Sequence, residues 1–158
     1  MPRPVAAAPF AAAFLSATLL ALAPGGQGPV TPPDLDTIRK QPDLQKRYTA
    51  ALNFAASRID AARKSIEAGE REAFVAELKQ FLAAVEFTDE TLRATGKDPS
   101  RDSRHFKKAE LRMNEFRRRL RSLESEVGVD ERSPVSDTLR RLTELHDQLL
   151  QDIMGRRR

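Results

Sequence analysis

From Asp43 onward, apolar residues recur at three- and four-residue steps. Leu44, Tyr48, Leu52, Ala55, Ile59, Ala62 and Ile66 form the first run. Phe74, Leu78, Phe81, Val85, Thr88 and Leu92 form the second, and Phe106, Ala109, Met113, Phe116, Leu120, Leu123 and Val127 the third. Val135, Leu139, Leu142, His146, Leu149 and Ile153 form the fourth, widened by Leu145 and Leu150. This spacing places each set on one face of a helix. It predicts helices over about 43–68, 71–95, 101–127 and 134–154.

The breaks fall where helices stop. Gly69, Gly96 and Gly128 can end three of them, and Pro99 blocks continuation of the second. Ser133 is the expected cap of the last, with Pro134 in its first turn. No segment alternates with period two, so no sheet is expected. The joins are short and the steps average near 3.5, which suits coiled-coil-like packing. The expected fold is all-α, an up-down-up-down antiparallel four-helix bundle over residues 43–155.

Before the bundle the pattern differs. Arg3 is followed by an apolar run from Val5 to Ala23 ending in small residues, the layout of a secretory signal over residues 1–25. An uncleaved membrane anchor is the alternative. Residues 26–42 are rich in proline and glycine and read as a flexible linker, in which "DLDTIRK" could form one helical turn. Residues 156–158 are a basic tail, Arg-Arg-Arg. These features predict an exported chain, periplasmic or extracellular.

Composition narrows the chemistry. The chain has 158 residues and no cysteine, which excludes disulfides, thiol catalysis, Cys-ligated zinc and covalent c-type haem. Neither histidine follows a glutamate at three positions, so a ferritin-like carboxylate di-metal site is not expected. No glycine-rich phosphate loop follows a strand and no Gly-x-Ser-x-Gly occurs. The reading is a non-catalytic protein without a cofactor, with a binding or structural role in a bacterial-type envelope.

The formal net charge of +4 is too small to imply nucleic-acid binding. Its distribution matters more. Residues 101–127 carry nine Lys or Arg against five Asp or Glu, while residues 71–96 carry three against five and residues 129–154 three against six. Arg117, Arg118, Arg119 and Arg121 form the densest run. They are either a solvated face matched to acidic helices on both sides, or a surface for an envelope protein, an anionic lipid or an anionic polymer. Intrahelical pairing of Glu115 with Arg119, and of Glu124 with Arg121, would favour the first. Arg118 has no carboxylate four residues away and is the most available of the four. Phe87, off the main stripe, is the candidate apolar contact. His105 is expected to be exposed. The competing reading, a bundle holding haem or another small molecule between its helices, would use Met113 and His146 as axial ligands.

Overall fold

The computed structural model describes residues 34–155. Among them there are five helices and no strand: α1 (Leu35–Arg39), α2 (Leu44–Glu67), α3 (Arg71–Arg93), α4 (Arg104–Glu126) and α5 (Val129–Met154). The expected signal segment, most of the linker and the basic tail lie outside the described residues. None of the described helices is long and apolar enough to cross a membrane.

The apolar stripes are buried nearly as spaced. Tyr48, Leu52, Ala55, Ile59 and Ala62 of α2 are buried, and so are all six stripe residues of α3. Every α4 stripe residue through Leu123 is buried, with Val127 just beyond. Phe54 is buried too and widens the α2 face, with the Arg58 guanidinium 4.8 Å from its ring centre. Across the core, Phe81 and Phe116 meet edge to face at 5.5 Å.

Two boundaries differ from the sequence expectation. Within the expected linker, residues 35–39 form the one helical turn that "DLDTIRK" allowed, α1, but it is seated on the bundle rather than free. The Asp34 side chain accepts from the Thr37 N–H at 2.8 Å, and Ile38 is buried in the main core. Leu35 packs against the same core, and Arg47 Nε donates to the Gln41 carbonyl at 2.6 Å, so the turn is seated on α2. The second difference is α5, which starts at Val129, so Ser133 is not a cap and Pro134 lies inside the helix. Proline has no N–H to give the carbonyl four residues back. That carbonyl, on Asp130, instead accepts from Arg71 Nη2 of α3 at 3.1 Å.

The lateral order also differs. α2 packs most closely on α3, and α4 on α5; α3 then lies against α5, and α2 against α4. Ion pairs follow the same seams. Arg58 meets Glu77 between α2 and α3 at 3.0 Å. Arg141 meets Glu86 and Arg93 meets Asp152 between α3 and α5, both at 2.9 Å. Arg119 meets Asp60, and Arg63 meets Glu126, between α2 and α4. The order around the core is therefore α2, α3, α5, α4. The expectation that the third long helix lies between the second and the fourth is corrected: α4 lies between α2 and α5.

Candidate functional site

The Arg117–Arg121 run sits in the second half of α4, where buried Phe116 and Leu120 fix which way each arginine can point. Arg117 turns toward α5. Its Nη1 lies 3.1 Å from His146 Nδ1. A guanidinium only donates, so Nδ1 must accept, which leaves the imidazole proton on Nε2. Nε2 then donates to Glu110 Oε1 at 3.0 Å. Asp147 Oδ1 lies 3.2 Å from Nδ1. His146 is only 4% exposed, and Arg117 Nε is buried beside it without a partner. The cluster pins α4 to α5.

This geometry bears on the haem reading. Both ring nitrogens of His146 are engaged, and an iron ligand would need the Nδ1 lone pair that Arg117 uses or the Nε2 that faces Glu110. Met113 is fully buried in the apolar core. No group of three or more His, Asp or Glu side chains arranged to hold a metal occurs among the described residues.

The other arginines separate into paired and unpaired. Arg119 reaches across to Asp60 on α2 rather than back to Glu115. Glu115 is taken by Arg112 at 2.7 Å. Glu124 accepts from the Ser136 hydroxyl of α5 and does not meet Arg121. The two intrahelical pairs expected from spacing are thus replaced, chiefly by contacts to neighbouring helices. Arg118 and Arg121 are exposed and have no acidic partner among the described residues.

The charge environment of α4 also changes with the lateral order. α2 carries five Lys or Arg against three Asp or Glu over residues 43–68. One flank of α4 is therefore basic and only the α5 flank acidic. α2 and α4 form a basic half of the bundle, α3 and α5 an acidic half. Full matching of α4 by acidic helices on both sides does not occur.

Comparison with protein-family models, with curated proteins and with solved structures returned no match.

Phe87 is half-buried and packs against the core, with the Arg39 guanidinium of α1 5.4 Å from its ring centre. Seating of α1 covers part of the ring that the sequence left open.

One site escaped the sequence reading. His105, expected to be exposed, is half-buried, and its Nδ1 lies 2.8 Å from the hydroxyl of Tyr48, which is 1% exposed. The rings meet edge to face at 5.8 Å. Leu44, Thr95 and Lys97 complete an open cavity of about 410 Å³ around them. Lys97 Nζ lies 2.6 Å from Asp102 and, by that hydrogen bond, holds the Asp102 carboxyl below its usual range. The signal was present: a core-facing tyrosine needs a partner for its hydroxyl, and His105 adjoins the core residue Phe106.

Proposed function

We propose that the chain is an exported, non-catalytic helical bundle that acts by binding, with a structural role at the cell envelope, and that the outer face of α4 is its contact surface. The helices alternate in direction along the chain, up-down-up-down, which makes the neighbours α2 and α4 parallel to each other, and α3 and α5 likewise. Paired residues support this sense. Residue numbers rise together between α2 and α4, where Tyr48 meets His105 and Arg63 meets Glu126. They run oppositely between α4 and α5, where Glu110 meets His146 and Glu124 meets Ser136.

One observation carries the binding reading. Arg104, Lys107, Lys108, Arg118 and Arg121, five exposed cations on α4 alone, have no acidic partner among the described residues, whereas on the acidic half Arg71, Arg93, Arg140 and Arg141 are paired and Lys79 and Arg132, on different helices, are not. Positive charge left unmatched along one helix raises the local concentration of anionic partners. The test is co-sedimentation with the envelope fraction at low salt. Wild type should partition with it, and Lys107→Glu/Arg118→Glu should not. Equal partitioning of the two proteins would refute the assignment. A Soret absorption band in protein purified from its native compartment would replace it with the haem reading through Met113 and His146.

A further inference from the structure

We infer that the outer face of α4 docks on an anionic lipid bilayer, with Leu111 entering the headgroup boundary and the surrounding basic side chains meeting lipid phosphates. This rests on the binding reading above and names its partner. At 3.6 residues per turn, Arg104, Lys107, Lys108, Leu111 and Arg118 fall within an arc of about 100°, over a length of about 20 Å. Arg121 flanks them on the α5 side. Leu111 is 66% exposed, a large apolar residue with no neighbour covering it. The carboxylates in or at the edge of the arc are already occupied: Glu115 by Arg112 at 2.7 Å, and Glu126 by Arg63 at 3.3 Å. The face is thus an exposed leucine with Lys107 and Lys108 one turn before it and Arg118 two turns after it, the composition that suits an interface between water and anionic headgroups.

Other occupants fit less well. A second copy could offer its acidic half, but Glu86, Asp89, Glu131, Asp137, Glu144 and Asp152 there are paired with arginines of the same half, and the exposed carboxylates left without a basic partner among the described residues, Glu72, Glu90 and Asp130, are fewer than the cations of α4. A single-stranded nucleic acid would want aromatic platforms beside the cations. The two aromatic residues of α4, Phe106 and Phe116, are both buried. A soluble polyanion would meet the cations but would have no use for Leu111.

The chain contains no tryptophan, so Leu111→Trp places a unique fluorophore at the centre of the face. The full chain carrying this substitution is titrated with phosphatidylglycerol vesicles, with phosphatidylcholine vesicles and with soluble polyphosphate. The apolar run at residues 5–23 is present throughout, and emission from position 111 reports on α4 alone. Emission should move to shorter wavelength with phosphatidylglycerol only. In the otherwise native chain, Lys108→Glu/Arg118→Glu should weaken binding to phosphatidylglycerol vesicles at least about twentyfold at low salt, since each cation near an anionic surface contributes about fivefold. Leu111→Ala should weaken it several-fold with little dependence on salt. Unshifted emission on phosphatidylglycerol, or equal binding by the charge-reversed chain, would overturn the inference. If polyphosphate competes the chain off the envelope fraction while emission stays unshifted on lipid, the binding face stands and the partner is a polymer. If neither ligand binds but the chain still sediments with the envelope fraction through α4, the lipid inference fails and the binding face stands; if it does not sediment either, both readings fail.

Discussion

Replacing His146 by alanine is the sharpest test of how α4 and α5 are joined. The side chain is 5% exposed, and three groups lie within 3.2 Å of its two nitrogens. The substitution opens a void and removes the acceptor of Arg117 Nη1 and the donor to Glu110. Each orphaned buried group costs about 1–3 kcal/mol. Glu110, 18% exposed, can recover some hydration; Arg117 cannot do so as readily, because its Nε is already buried without a partner. The net cost should be about 2–4 kcal/mol, or roughly 8–16 °C in Tm for a domain of this size. The assay is urea unfolding followed by circular dichroism, for His146→Ala, Glu110→Ala and the pair. The two single costs should exceed the double cost by about 0.5–3 kcal/mol, because both report one contact. His146→Ala within about 0.5 kcal/mol of wild type, or strict additivity, would refute the network.

Three further outcomes follow from particular residues. Leu120→Ala should cost about 2.7–5 kcal/mol in the same unfolding assay, because Leu120 is fully buried on α4. Pro134→Ala should stabilise the fold by about 1–3 kcal/mol, since alanine restores an N–H to the Asp130 carbonyl that Arg71 now satisfies; an unchanged or lower Tm would mean that Pro134 is not inside the helix. The N–H groups of Lys46 and Gln45 hold the Asp43 carboxyl below its usual value near 3.8. A depressed folded-state value means its stabilising contribution is present above that pH and is lost as pH falls through the lower folded value. Asp43→Asn, which keeps the capping acceptor but does not titrate, should flatten the acid limb of Tm against pH.

The parts of this fold that were legible from sequence are those governed by local periodicity. The stripes Phe74–Leu92 and Phe106–Val127 are buried because a single helix face decides burial, and that face is written in spacing. Lateral order was not legible, since α2–α3–α5–α4 and a sequential ring bury the same stripes. It is fixed by inter-helix pairs such as Arg119 with Asp60, which lie 59 residues apart. The start of α5 is not legible because proline usually marks a first turn, and the compensating donor, Arg71, belongs to another helix. At the candidate site, the availability of Arg118 was readable from its own neighbours. The exposure of Leu111 was not singled out, although Leu111 falls between stripe residues Ala109 and Met113. The half-burial of His105 is masked by the polar stretch around it, which hides the demand of the Tyr48 hydroxyl.

Lysine acylation footprinting in the presence of the envelope fraction tests the central claim most directly. Lys107 and Lys108 lie on the proposed contact face, while Lys79 is exposed on α3 in the other half of the bundle. Addition of the envelope fraction at low salt should protect Lys107 and Lys108 and leave Lys79 as reactive as before, with protection fading as salt is raised. Equal labelling of all three lysines with and without the fraction, or protection of Lys79 alone, would contradict the assignment of α4 as the binding face.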